Sequence, residues 1–195
     1  LILKPSQLDP ELERRMRNHL QKAIDDHPAE RITVIFRKGG RIGPNAFALP
    51  DGQIIFTDEM IRIAEHDDEV LSVMAHEIGH VVHRHGMRRV VQDSLLSFAI
   101  LSLTGDASGV SELFLGLPAV LTELAYSRAF EREADRFALN YLKSRSIPVH
   151  HFADILTRIS KIDEPRKEQS GKKWSNYLTT HPPTQERVKA FAGER

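Results

Sequence analysis

Residues 76–80 read His-Glu-Ile-Gly-His. On an α-helix, side chains four apart stand one turn above each other on the same face. His76 and His80 therefore aim two imidazoles at one point, a spacing that suits two ligands of a tetrahedral Zn²⁺. Glu77 lies roughly 100° further round the helix. From there it cannot easily join the same metal, but its carboxylate can reach a water held there. The metal lowers that water's pKa towards ~7, and the carboxylate takes the proton as the oxygen attacks a carbonyl. The plain alternative is a structural helix that happens to carry two of the chain's 10 histidines. The surroundings argue against it. Val70, Leu71, Met74, Ala75 and Ile78 recur at helical spacing, so one face of residues 67–85 is core and both histidines lie beside that stripe. Asp67 fits an N-cap and Gly86 fits a helix C-terminus. Gly79 costs ~1 kcal/mol relative to alanine inside a helix, which close approach of another backbone near the metal would explain.

A catalytic zinc also needs a third protein ligand and one open position. Residues 119–143 read as a helix with Leu121, Leu124, Phe130, Phe137 and Tyr141 on its apolar side. Within it, Glu131 and Asp135 stand one turn apart and face the same way. One can bind the metal while the other accepts the N–H of a ligand histidine and fixes its ring. Glu133 projects about 200° from Glu131 and is a poor rival. Two acids on a solvated face would be the default without the first motif; with it, Glu131 is the preferred ligand. His83 and His85 follow that motif, and His83 reads more simply as a surface or supporting histidine than as a ligand.

Upstream, Asp9-Pro10 opens an amphipathic helix that ends near Pro28. Residues 31–37 are β-branched and aromatic and read as a strand. Residues 46–49 and 53–57 flank Pro50-Asp51-Gly52, the signature of a hairpin. This small sheet either braces the metal helix or offers an edge for an extended peptide, and the sequence weighs the two equally. Asp58 caps a short helix leading into the motif. Residues 94–122 change character: two short apolar runs flank Gly105-Asp106-Ala107-Ser108-Gly109. The simplest reading is a helical hairpin packed on the core; a lid, or a patch for peripheral membrane contact, are the sharper ones. Beyond Pro148 lie a helix over residues 150–162, a charged loop, an anchor of Trp174, Tyr177 and Leu178, and a short helix carrying Arg187.

Composition narrows the rest. The 195 residues fit one domain, with 41% hydrophobic and 28% charged residues. Lys plus Arg equals Asp plus Glu at 27 each, so no charge bias points to nucleic acid. The absence of cysteine excludes disulfides, thiolate-bound zinc and thiol catalysis. No run reaches the ~20 apolar residues that span a bilayer. The chain opens Leu1-Ile2-Leu3-Lys4-Pro5, without Met or a signal-peptide pattern, and reads as a trimmed product whose signal or anchor would lie outside it.

The pairing of His76-Glu77-Ile78-Gly79-His80 with Ser127-Arg128 and Glu131-x-x-Ala134-Asp135 resembles the gluzincin metallopeptidases related to HtpX, the CaaX prenyl proteases and the Oma-type mitochondrial proteases. Residues 45–50 resemble that family's strand before the metal helix, and His181-Pro182-Pro183 with Arg187 resembles its C-terminal signature. The resemblance runs from about residue 45 to residue 187. It implies one zinc per chain on His76, His80 and Glu131, with Glu77 as base and proton shuttle and Asp135 supporting a ligand histidine. It also puts His181 and Arg187 near the cleft, stabilising an oxyanion or, for the histidine, capping the zinc at rest. Read from the residues alone, His181 is a rigidly placed loop histidine and Arg187 a surface charge. Membrane-integral relatives insert transmembrane helices between the two zinc motifs, and here that insert is short and interrupted by glycine. The implied branch is therefore soluble or peripheral and BepA-like, favouring the periplasm or cell envelope, with an anchor outside this chain as one arrangement.

The expected fold is α+β and mostly helical: a zincin-like protease with a small N-terminal sheet packed on the metal-site helices. The whole, residues 1–195, forms one peptidase domain with an N-terminal helix (1–30), sheet (31–57), metal-motif helices (58–86), apolar hairpin (94–122), third-ligand helix (123–145) and C-terminal helices (146–195). The expected activity is zinc-dependent hydrolysis of peptide bonds in unfolded or misassembled proteins.

Overall fold

In the computed structural model, which describes residues 3–104, 127–163, 177–181, 187 and 190–192, the β-branched run after Arg31 forms the strand β2 (Thr33–Lys38). It lies inside a four-stranded sheet with β1 (Lys4–Pro5), β3 (Ala46–Ala48) and β4 (Gln53–Thr57), in the order β1-β2-β4-β3. β2 and β4 run parallel with Phe36 opposite Phe56, and β3 returns antiparallel with Phe47 opposite Ile55. The expected hairpin is thus present. Its turn depends on Gly52, at φ 89°, where an added Cβ would sit 2.8 Å from the Glu30 carbonyl oxygen. The helix α1 (Pro10–Asp25) starts as expected, with the Asp9 carboxylate accepting the amide N–H groups of Glu11 and Leu12.

Two caps differ from expectation by one residue. α2 (Asp58–Ile63) is capped by the Thr57 hydroxyl, which accepts the Met60 N–H. Asp58 instead turns back to the N-terminal segment, accepting from the Ser6 hydroxyl at 2.8 Å and the Gln7 amide at 2.6 Å. α3 (Asp67–Val82) is capped by His66 Nδ1, leaving Asp67, Asp68 and Glu69 in the first turn, where the helix dipole favours acids.

α3 is the axis of the molecule. The sequence predicts one core-facing stripe, yet every residue from Glu69 to His80 is buried. The sheet, α1, α5 (Arg128–Ser144) and α6 (His150–Asp163) enclose it. Gly79 is where α5 crosses: a Cβ there would meet Ala134 Cα at 2.9 Å. The close approach expected of that glycine is therefore real, and it brings Glu131 and Asp135 alongside the histidines. Paired charges hold the outer helices in place. Arg158 of α6 grips Glu69 with bonds of 2.6 and 3.0 Å, and the Tyr141 hydroxyl of α5 donates to Asp26 at 3.0 Å.

The end of α3 corrects another expectation. Gly86 does not terminate it. The helix stops at Val82, Arg84 takes the left-handed conformation at φ 52°, and α4 (His85–Thr104) begins at once. Gly86 lies in the first turn of α4, where a side chain would press on the Pro50 ring at 3.3 Å. α4 runs through residue 94 without a break, so the expected hairpin has no separate start there. Residues 105–126, with the glycine turn and the second apolar run, lie outside the described residues, as do residues 164–176, which include Trp174. A short helix, α7 (Tyr177–Thr180), leads to His181. Among the described residues no helix is long and apolar enough to cross a membrane.

Candidate metal centre

His76 and His80 leave α3 one turn apart, and α5 presents Glu131 across the Gly79 crossing. His181 arrives from the end of α7, tethered by its amide to the Tyr177 carbonyl at 2.7 Å. These four are buried, and their donor atoms all lie within 4.8 Å of one another. The separations are informative. His76 Nε2 is 3.0 Å from His80 Nε2, 3.3 Å from His181 Nδ1 and 3.5 Å from Glu131 Oε2. Glu131 Oε1 is 3.4 Å from His80 Nε2 and 3.1 Å from His181 Nδ1. Ligands at ~2.0–2.1 Å around a tetrahedral ion stand about 3.3–3.4 Å from each other. The donor set therefore has the size and chemistry of a zinc tetrahedron, with nitrogen and oxygen donors suited to that ion.

Charge agrees with the geometry. Glu77, Glu131 and Asp135 are three buried carboxylates facing one buried guanidinium, Arg187. Fully ionised they leave two negative charges, which a divalent cation neutralises. Burial raises the Glu77 pKa against the opposing charges of His181 and His76. Burial would raise Glu131 too, but His181 and His76 outweigh it and hold that carboxyl well below its ordinary range. Asp135 is likewise held down, by His76 and Arg187 against burial. Burial disfavours charge on His76, yet its bonds to Asp135 and Glu131 push it up to about 9. His80 Nε2 stands 3.4 Å from Glu131 Oε1, but burial and the neighbouring His76 outweigh that carboxylate and drive the ring well below 6.5.

Each residue singled out from the sequence can now be located. Glu77 is fully buried beside the four donors, with Oε1 3.5 Å from His181 Nε2. Neither of its carboxylate oxygens makes a hydrogen bond of normal length. Asp135 Oδ1 lies 3.0 Å from His76 Nδ1, on the side of the ring away from the cluster. Arg187 is buried, not a surface charge: it grips Asp135 with bonds of 2.6 and 2.9 Å and reaches Glu131 at 2.8 Å. Its guanidinium is thus committed to two carboxylates. His83 stands outside the cluster, at the end of α3.

Two residues were not assigned from the sequence. His85 is buried with Nδ1 2.9 Å from His80 Nδ1, and its Nε2 lies 3.0 Å from Glu133 Oε2. Nothing in the spacing signals this, because a helix continued from His80 would carry His85 away from it. Glu133 is excluded as a ligand by its angle on α5, and that same angle turns it towards His85.

Comparison with known proteins bears on this arrangement. The family model for Peptidase family M48 matches residues 6–195. The chain is 31% identical over 148 residues to the mitochondrial metalloendopeptidase OMA1 of Arabidopsis thaliana, covering 76% of this chain and 29% of that protein. It is 28% identical over 154 residues to a putative beta-barrel assembly-enhancing protease of Vibrio cholerae, covering 74% and 31%. It is 29% identical over 148 residues to the metalloprotease LoiP of Escherichia coli, covering 74% and 56%. The chain thus spans well under two thirds of the length of these relatives.

Proposed function

Since this chain belongs to peptidase family M48, we propose that it is a zinc metalloendopeptidase that cleaves unfolded or misassembled polypeptides. The observation that carries the reading is a buried His76–His80–Glu131–His181 cluster of tetrahedral dimensions with the Glu77 carboxylate beside it. His76, His80 and Glu131 hold the zinc. When bound, the metal supplies Lewis-acid polarisation of the scissile carbonyl and of the attacking water. Glu77 accepts that water's proton and delivers it to the leaving amine. Burial raises its carboxyl pKa, which makes it a stronger base for that proton. Asp135 Oδ1, 3.0 Å from His76 Nδ1, pairs with that ring and orients it. Arg187 holds Asp135 and Glu131 in place, a clamping role beside the oxyanion role that the resemblance implies.

His181 fills the fourth position and caps the cluster at rest. Its Nε2, 3.5 Å from Glu77, is the group that can donate to a developing oxyanion once Nδ1 has left the donor set. The names of the beta-barrel assembly-enhancing relatives support a quality-control role in the cell envelope. An extended substrate would add to the β3 edge of the sheet.

One observation favours a second reading. Zinc sites with four protein ligands are usually structural, and catalytic ones keep an open position. A zinc-stabilised binding module would fit the closed set. Glu77→Gln separates the two. Under the protease reading, the variant keeps its zinc and its fold while losing cleavage of casein; if wild type and variant both bind casein and neither cleaves it, the binding module replaces the protease.

A further inference from the structure

The break between α3 and α4 puts a second imidazole against the metal cluster. His85 is five residues beyond His80 and would point about 140° away from it on a continuous helix. The left-handed Arg84 turns the chain back instead. His85 then lies with Nδ1 2.9 Å from His80 Nδ1 and Nε2 3.0 Å from Glu133 Oε2. Its ring stacks flat on Phe130, at 4.3 Å between centroids and 7° between planes. Arg88, also bonded to Glu133 at 3.1 Å, lies over the Phe130 ring, 4.3 Å from its centroid.

We infer that His85 is a positioning residue for His80, and that Glu133 in turn fixes His85. The inference rests on the metal-centre reading above. Only one arrangement of protons satisfies all three groups. His80 Nε2 faces the cluster and must offer a lone pair to a metal, so its proton sits on Nδ1 and is donated to His85 Nδ1. The proton of His85 then sits on Nε2 and is donated to Glu133 Oε2. The two histidines of the motif are therefore held differently. Asp135 stands directly against His76 Nδ1, whereas the group against His80 Nδ1 is the imidazole of His85, itself paired with Glu133. His80 is the more weakly polarised donor of the pair, and its ring orientation depends on His85.

The full chain, apo and zinc-loaded, tests this. His85→Phe keeps the stack on Phe130 and removes the acceptor; His85→Asn keeps an acceptor oxygen near the Nδ1 position. Zinc affinity is measured by competition with a chromophoric chelator, and Tm is measured for both forms. The expected result is a ~10–100-fold loss of zinc affinity in His85→Phe. The Tm gap between the zinc and apo forms narrows, the apo Tm changes less, and His85→Asn recovers most of the affinity. A merely structural histidine would lower both Tm values together and leave the gap intact. Wild-type affinity and an undiminished gap in His85→Phe would overturn the inference, as would equal losses in Phe and Asn variants. If His85→Phe fails to fold, His85→Asn against His85→Ala decides: tighter zinc binding by the asparagine supports the relay, and equal binding overturns it. These readouts need no cleavage. Loss of zinc in His85→Phe alongside unimpaired proteolysis by Glu77→Gln would remove the protease mechanism and leave the relay. Normal zinc affinity in His85→Phe alongside a dead Glu77→Gln would do the reverse.

Discussion

His76 carries the sharpest consequence of burying several titratable groups together. Its pKa of about 9 in the metal-free chain, against 6.5 unperturbed, means that its proton is bound more tightly in the folded state. A raised folded pKa contributes stability that is complete below the unfolded value and lost as pH climbs through the folded one. His80, His85 and His151 act in the opposite sense, because burial depresses all three. They withhold stability as pH falls below 6.5, where the unfolded chain takes up protons that the folded chain refuses. The metal-free protein should therefore be most stable near pH 6.5, and lose on the order of 1–3 kcal/mol between there and pH 9. Urea denaturation of chelator-treated protein at three pH values checks this, and a stability that climbs towards pH 9 would refute it. Saturating zinc should abolish the alkaline loss, since the metal takes the place of that proton. At this scale much was legible. The pairing of the two histidines follows from helical geometry, because side chains four apart share a face, and Glu131 and Asp135 stand out by the same spacing once that motif is in view. His181 and Arg187 could be named only through family resemblance. No local pattern foretells that a loop histidine and a distant arginine will meet the same carboxylate.

The junction between α3 and α4 is the element the sequence hides. A helix end is normally announced by a glycine in the left-handed conformation, and Gly86 stands where one would look. The chain instead turns two residues earlier, at exposed Arg84, while Gly86 packs closely against the Pro50 ring. Tertiary packing therefore outweighs the local signal. Holding an L-residue with a Cβ in that conformation costs ~1–2 kcal/mol, and glycine would relieve it at some cost in chain entropy. Arg84→Gly should consequently stabilise the protein by about 0.5–1 kcal/mol, whereas Arg84→Val should destabilise it by at least ~1 kcal/mol because β-branching clashes there. Zinc affinity should stay at the wild-type value in Arg84→Gly, since the turn that delivers His85 is retained. Chemical denaturation and chelator competition on the two variants measure both effects; destabilisation by glycine would mean that the arginine side chain, and not the backbone turn, matters at this position. Gly79 is the contrasting case. There a helix-interior glycine did announce its reason, because only a second backbone at close range explains the cost, and α5 supplies it.

At the scale of the whole molecule, the candidate centre ties together segments that are far apart in the chain. Two donors come from α3, one from α5 and one from beyond α7, so ordering them closes loops of about fifty residues each. The α+β class and the sheet beside the metal helix were legible because each strand and helix carries its own periodicity. That α3 would be enclosed on every face was not, since the sequence records its polar histidines and glutamate as an interruption of the core. Those residues are in fact core residues, and an ion at the cluster would account for their burial. The ion should accordingly act as a structural ligand as well as a reagent. A ligand that binds only the folded state at 1,000 times its Kd adds about 4 kcal/mol. For a chain of this size each kcal/mol moves Tm by ~2–4 °C, which gives an increment of roughly 8–16 °C on loading with zinc. Scanning calorimetry before and after chelation tests the magnitude, and stoichiometric zinc should restore the higher Tm. Glu131→Ala should erase most of the increment, because it removes the donor that joins α5 to α3. Ser94→Ala, in a position remote from the donors, should leave the increment whole. An increment of equal size in both variants would mean that the ion binds elsewhere and that the buried cluster is held together by its own hydrogen bonds.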